Sequence, residues 1–355
     1  MSATSRTLER RHQFASDNYS GICPEVLAAI EKANAGHASG YGNDAWTQKA
    51  RELICHSFEA NCEVFFVFNG TAANSLSLAS LCDSMHSVIC HEYSHIETDE
   101  CNAPGFFAPG IKTIPIRGEN GKLTPSHVER AVAHRDDVHH PKPRVVDITQ
   151  ATELGTVYSV AEVTALCKTA KKLGLHVHMD GARFANAVAS LEVRPRQVTW
   201  EAGVDVLSFG GTKNGMAFGE AIVFFNRDLA ENAMRRQKQA GQLASKMRFL
   251  TGQWVGLLEN DAWLKNARHA NSVAAQLHKA LAKVHTLKIR YPCEANSVFV
   301  ELPAKVTVAL HERGWKFYTD VGPDGVARFM CSWDSTREDV EHLVKDIREA
   351  LSGES

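Results

Sequence analysis

Arg144-Val145-Val146-Asp147-Ile148-Thr149, then Ser159-Val160-Ala161-Glu162 opening a helical stretch that stops at Gly174, then Leu175-His176-Val177-His178-Met179 form one continuous unit. The outer runs read as strands, and the segment between them carries apolar residues at helical spacing behind a capping box. A strand, a helix and a strand in that order make a parallel crossover. Outward from it the same grammar repeats. Val64–Phe68 is an apolar run followed by Asn69-Gly70-Thr71 and a small-residue helix from Ala72 to Leu81, and further strand-like runs are Ser87–Cys90, Asp205–Phe209 and Ala221–Phe225. Most of these lack polar alternation, as strands covered on both faces do. An α/β fold follows, with a mostly parallel sheet and helices on both sides.

After about Trp254 the pattern changes. A long helical segment (Leu257 to Val284) precedes strand-like Leu287–Tyr291, Ser297–Leu302, Lys316–Thr319 and Ala327–Trp333, and Ser335-Thr336-Arg337-Glu338 reads as a second capping box. The expected organisation is a tail over 1–12, a large domain over 13–255 and a smaller C-terminal α+β domain over 256–355.

Composition narrows the function classes. The 355 residues carry 39 Lys+Arg against 41 Asp+Glu, a formal charge of −2, with 44% hydrophobic residues, so the chain can bury a sizeable core and is no disordered scaffold. No block of like charges suits a nucleic-acid backbone, and no apolar run is long enough for a membrane span. The polar, basic start lacks an apolar leader core, and nine cysteines show no Cys-x-x-Cys pair. A cytoplasmic protein without disulfides is expected, with a small-molecule partner.

Three segments carry chemistry. Asn69-Gly70-Thr71-Ala72-Ala73-Asn74 stands between a strand and a helix, where a glycine admits a ligand close to the backbone and helix-start N–H groups favour a phosphate dianion. A tight turn before a well-packed helix is the alternative reading. His178-Met179-Asp180-Gly181-Ala182-Arg183 ends a strand, the place where open α/β sheets gather ligands. His176, His178 and Asp180 alternate with apolar neighbours and share one face. A buried acid there needs a cationic partner, which could be a ligand or Arg183 in a structural pair, and a His-x-His-x-Asp metal site is a third reading. Ser208-Phe209-Gly210-Gly211-Thr212-Lys213-Asn214-Gly215 sets a lysine among glycines. Burial would lower the pKa of Lys213 and free its amine for Schiff-base chemistry; otherwise it is an ordinary loop lysine.

Together the three become specific. A phosphate cradle, an acid at a strand end and a buried lysine 213 − 180 = 33 residues later are what pyridoxal phosphate requires. With Ala15-Ser16-Asp17-Asn18, Tyr41-Gly42-Asn43-Asp44, the segment around His95 and Ala327-Arg328-Phe329, these motifs span nearly the whole chain in order. The sequence resembles the low-specificity L-threonine aldolases, pyridoxal-phosphate enzymes of the aspartate-aminotransferase fold (fold type I, with a seven-stranded sheet).

The resemblance implies roles for particular residues. Lys213 matches the lysine that holds the cofactor and Asp180 the partner of its pyridine nitrogen. Gly70, Thr71 and Ala72 match phosphate contacts, and Lys238 a basic residue brought to the phosphate by a neighbouring subunit. Arg183, Arg328 and Ser16 match the groups holding the substrate carboxylate, for which a planar guanidinium is suited. His95 matches a histidine stacked on the cofactor ring near the β-hydroxyl, and Tyr41 a tyrosine crossing the subunit interface. The implied reaction is retro-aldol cleavage of L-threonine or L-allo-threonine to glycine and an aldehyde by a homotetramer, a dimer of dimers. Another activity of the same cofactor class, such as serine hydroxymethyl transfer, racemisation or transamination, would use the same Lys213 and Asp180.

Two departures stand out. Many members of that family have Glu-Asn-Thr-His where this chain reads Gln150-Ala151-Thr152-Glu153, and the arginine after the Lys238 segment is displaced to the region of Ser245-Lys246-Met247-Arg248. The base that removes the β-hydroxyl proton is expected to be His95 or a water it holds, and the role of Glu153 is open at this level.

Overall fold

The computed structural model describes residues 13–135, 137–319, 321 and 325–353. The expected tail over 1–12 lies outside the described residues. Helices α1 (Pro24–Ala33) and α2 (Ala45–Ser57) precede strand β1 (Glu63–Val67), which runs into α3 (Gly70–Leu81). Next come β2 (His86–His91), the short α4 (His95–Thr98) and α5 (Ala103–Phe107), β3 (Lys112–Ile116) and α6 (Pro125–Ala133). The crossover unit follows as β4 (Lys142–Thr149), α7 (Val160–Lys172) and β5 (His176–Gly181), and after it α8 (Phe184–Leu191), β6 (Val206–Gly210), β7 (Glu220–Phe224) and α9 (Ala233–Gln239).

These strands form a seven-stranded sheet in the order β1-β7-β6-β5-β4-β2-β3. β2 through β6 pair in parallel, while β7 runs antiparallel to both β1 and β6. Alternate residues of each strand feed two cores: Val146, Val177, Met179 and Phe209 pack on one face, and Val145, Val206, Val88 and Ile222 on the other. That double burial is why the strands show little polar alternation. α3 is buried almost all round, which its Ala- and Ser-rich sequence permits by letting the helix lie close to its neighbours. The capping box at Ser159 forms as expected: its hydroxyl accepts from Glu162 N–H, and Glu162 accepts from Ser159 N–H.

The remaining elements are α10 (Arg248–Leu258), α11 (Ala262–Leu281), β8 (Lys288–Ile289), β9 (Ser297–Glu301), α12 (Ala304–Glu312), β10 (Val326–Met330) and α13 (Arg337–Ser352). Here the structure corrects the sequence reading in three places. The expected single helix from 257 to 284 is two helices, broken where Asn260 and Asp261 adopt left-handed backbone with φ of 57° and 55°. Lys316–Thr319 contributes only isolated bridges to Gln13 and Arg328 rather than a strand. The terminal helix is capped one residue later, by Thr336 with Asp339 as its reciprocal partner. β3 has no counterpart in the sequence reading.

β10, β9 and β8 form a separate antiparallel sheet packed with α11 and α13 around Val298, Phe329, Leu277 and Leu343. Phe14 belongs to that core despite its place near the start of the chain. Its N–H donates to the carbonyl of Lys316 at 2.8 Å, and its own carbonyl accepts from Met330 N–H at 2.8 Å. α11 spans both cores, with Trp263 and Ala267 in the large one and Val273 and Leu277 in the small one. Among the described residues no helix is long and apolar enough to cross a membrane.

Candidate active site

Parallel strands deliver their C-terminal ends to one edge of the sheet, and the sequence motifs meet there. Asp180, near the end of β5, is buried; its Oδ1 accepts from Ala182 N–H at 2.9 Å and its Oδ2 from the Asn74 amide at 2.8 Å. Burial alone would raise the pKa of this carboxyl, but the charge of His95, the Ala182 N–H, the Lys213 charge and Asn74 together hold it below the ordinary value. Asp180 is therefore anionic. Lys213 sits in the single turn after β6, and burial, reinforced by the nearby Arg183 charge, lowers its pKa against the opposing pull of Asp17 and Asp180. The two glycines that bracket it serve packing: Gly215 has φ of 107°, and a Cβ on Gly211 would run into Met216 and Trp254.

Gly70 and Thr71 head α3, where no preceding turn supplies carbonyls for their N–H groups. Beyond its chain neighbours and its own helix backbone, nothing lies within 4 Å of the position a Cβ on Gly70 would take, so that side is open. Ala72 differs from the expectation. Its N–H is already taken by the Asn69 side chain at 2.9 Å, an N-cap bond that leaves it nothing to offer a phosphate.

Arg183 brings the main correction. It does not pair with Asp180; its Nε and Nη2 make a two-pronged contact with Asp17 at 2.7 and 2.9 Å, and Asp17 also accepts from Asn296 at 3.1 Å. The Asp17 fork orients the guanidinium, which still lines the cavity. Ser16, which caps a short turn by accepting from Asn18 N–H, lines the same cavity, as does Arg328 on β10, whose Nη2 donates to the Ala15 carbonyl at 3.1 Å. The cavity measures about 700 Å³ and is also walled by His95, Glu153 and Lys213. His95 heads α4; its Nδ1 meets Glu100 Oε1 at 2.7 Å, a bond that raises the imidazole pKa despite burial.

Tyr41 and Lys238 lie elsewhere in the single chain. The Lys238 ammonium rests over the Tyr41 ring, 4.8 Å from its centroid, in a separate exposed concavity with Met234, Arg235 and Leu243. The metal reading of the β5 histidines is overturned: buried His178 spends Nδ1 on Asp147 at 2.6 Å and Nε2 on Ser208 at 2.9 Å, while His176 faces Asp205. Among the described residues no group of three or more His, Cys, Asp or Glu could hold a metal ion.

Sequence reasoning gave no role to Asn74, Glu100, Asp17 or Glu220. The Asn74 amide joins Asp180 to Glu100, and buried Glu220 accepts from Gly211 N–H at 2.7 Å behind Lys213, with burial pushing its pKa up to about 7. An asparagine inside an Ala/Ser-rich helix is a signal in itself, because a buried amide must find partners.

The beta-eliminating lyase family model matches residues 13–305. Over 344 residues the chain is 57% identical to the low specificity L-threonine aldolase of Pseudomonas sp. (strain NCIMB 10558), covering 97% of this chain and 99% of that one. This chain belongs to the low-specificity L-threonine aldolase family. Its counterpart from Pseudomonas aeruginosa is 58% identical over 340 residues, covering 96% of this chain and 98% of that one. A threonine aldolase structure from Leishmania major superposes with a TM-score of 0.89 at 28% identity, covering 96% and 99% of the two chains. The fold is that of the fold type I pyridoxal-phosphate enzymes, and the chain is a pyridoxal-phosphate-dependent lyase. Its residues fit that cofactor: an open helix start for the phosphate, an anionic Asp180 for the pyridine nitrogen, and a buried Lys213 close enough to Asp180 to feel its charge.

Proposed function

We propose that this chain cleaves L-threonine, L-allo-threonine and related β-hydroxy-α-amino acids to glycine and an aldehyde, with Lys213 as the amine that holds the cofactor. The observation that carries this reading is a buried, easily deprotonated amine sharing one cavity with two guanidinium groups. Amine and carboxylate clamp are what an α-amino acid needs for fixed placement. Pyridoxal phosphate, when bound, supplies an electron sink next to the substrate's α-carbon.

In this reading, Gly70 and Thr71 bind the phosphate through backbone N–H groups, with the Thr71 hydroxyl as a further donor. Asp180 keeps a proton on the pyridine nitrogen, and Asn74 and the Ala182 N–H keep Asp180 ionised for that role. Arg328, Ser16 and Arg183 hold the substrate carboxylate, which turns the Cα–Cβ bond to the angle at which it can break. His95 covers the cofactor from the cavity side. Tyr41 and Lys238, remote from Lys213 within one chain, complete a neighbouring subunit's site in a tetramer of paired dimers. Nine free cysteines suit the reducing cytoplasm.

The test is a visible absorption spectrum of the purified protein, with and without glycine or threonine, together with aldehyde detection. Wild type is expected to be yellow, to respond to both amino acids and to release acetaldehyde from threonine without folate. Lys213→Ala is expected to lose the chromophore response and all measurable turnover. Colour without aldehyde, accompanied by racemised threonine or amino-group transfer, would assign a different activity on the same fold. A colourless wild type would sink the proposal.

A further inference from the structure

Glu153 stands in the cavity wall after β4, and its two oxygens have different surroundings. Oε1 accepts from the His95 backbone N–H at 3.1 Å and from the Thr149 hydroxyl at 2.8 Å. Oε2 is buried without a hydrogen-bond partner, which is costly for a carboxyl oxygen unless a ligand supplies one. Thr149 in turn pairs with Asp180 across β4 and β5. The carboxyl is thus held in a fixed position within the cavity that also contains Lys213, Arg183 and Arg328.

The other acid–base groups around the cavity are already committed. The His95 ring spends Nδ1 on Glu100 at 2.7 Å, and its Nε2 faces Asp99 at 3.6 Å, so both ring nitrogens have acidic partners. Asp180 is held ionised by Asn74, the Ala182 N–H, His95 and Lys213. Asp99 is largely exposed at the cavity rim. Glu220 receives the Gly211 N–H and is not among the residues lining the cavity.

We propose that Glu153 is the group that takes the proton of the substrate's β-hydroxyl as the carbon–carbon bond breaks. This rests on the functional reading of the cavity as an aldolase site. The O–H bond breaks and its proton forms a new O–H bond on Glu153 Oε2. The electron pair left on the substrate oxygen becomes the second carbon–oxygen bond of the aldehyde, and the Cα–Cβ pair stays with the glycine fragment. Glu153 then returns its proton to solvent through the cavity mouth. Its environment favours such a transfer, because burial, with Asp180 and Asp147 as negative neighbours, pushes its pKa up to about 7, while its own backbone N–H and Thr149 oppose the rise. Arg183 faces it as the nearby cation, and Tyr158 and Cys90 feel its charge from the packed core.

The test uses the holoenzyme and separates the β-hydroxyl step from everything else the site does. Exchange of the glycine α-proton with deuterated solvent needs Lys213 and the cofactor but no β-hydroxyl. In Glu153→Gln the amide oxygen still accepts the two donors, so the cofactor spectrum, the affinity for glycine and the exchange rate are expected to match wild type. Threonine cleavage is expected to fall about 100-fold or more in kcat with little change in KM. Wild-type kcat is expected to rise with pH through about 7, and this limb is expected to vanish in the variant. Thr149→Val, which removes one donor to Oε1, gives an independent reading, with the limb displaced to higher pH. Cleavage in Glu153→Gln at the wild-type rate with the limb in place would overturn the proposal. So would a parallel loss of cleavage and glycine exchange, or a limb unmoved in Thr149→Val. Failure of the underlying functional reading shows differently, as a wild type that neither exchanges glycine nor cleaves threonine.

Discussion

Asp180 at the end of β5 and Glu153 in the turn after β4 are both buried carboxyls beside the same cavity, and Thr149 links them by pairing with one and bonding the other. Their surroundings drive them apart. Asp180 receives donors on both oxygens and faces His95 and Lys213, so it stays ionised below the ordinary range. Glu153 receives both donors on one oxygen, and burial, with Asp180 and Asp147 as negative neighbours, pushes its pKa up to about 7. Burial pushes both carboxyls up; the placement of donors and the sign of the neighbouring charges decide which way each finally moves. The pair can therefore divide two roles, a permanent anion and an exchangeable proton site.

The division can be broken from the Asp180 side. Asp180→Asn keeps an acceptor but removes the charge, and turnover is expected to drop about 10²–10³-fold in steady-state assays with saturating cofactor, because a preorganised charge at the reacting system is lost. The Glu153 side is sharper in stability. A carboxyl whose pKa rises on folding stabilises the native state most below its unfolded value near 4.5, and that contribution disappears as pH climbs past about 7. Glu153→Gln has no proton to lose, so between pH 5 and 8 wild type is expected to lose about 2–3 kcal/mol relative to the variant in urea unfolding. Asp180 has the opposite sign: its contribution is present above the unfolded value near 3.8 and fades as pH falls through the lower folded one. Asn74→Ala is the smallest change, withdrawing one donor each from Asp180 and Glu100; about 1–2 kcal/mol of stability is expected to go, measured in the same unfolding assay.

Local pattern revealed the strand and helix units that carry Lys213, Asp180 and the head of α3, because each motif sits at a junction written in consecutive residues. The partners of those residues were harder to read. Asp17 reaches Arg183 across 166 positions and Asn74 reaches Asp180 across 106, and no periodicity connects such pairs. β3 escaped notice because Lys112-Thr113-Ile114-Pro115-Ile116 is a short edge strand interrupted by a proline. The break between α10 and α11 was missed for a different reason: Asn260 and Asp261 turn left-handed without a glycine or proline to announce it.

The way Phe14 and Asp17 are held has a consequence for how the chain is made. Phe14 lies between the carbonyl of Lys316 and the amide of Met330, and Asp17 accepts from Asn296. On the ribosome the last of these anchors emerges 330 − 14 = 316 residues after Phe14, a wait of tens of seconds at roughly 5–20 residues per second. The segment whose Asp17 orients the Arg183 guanidinium therefore gains its last anchors only when translation is almost over.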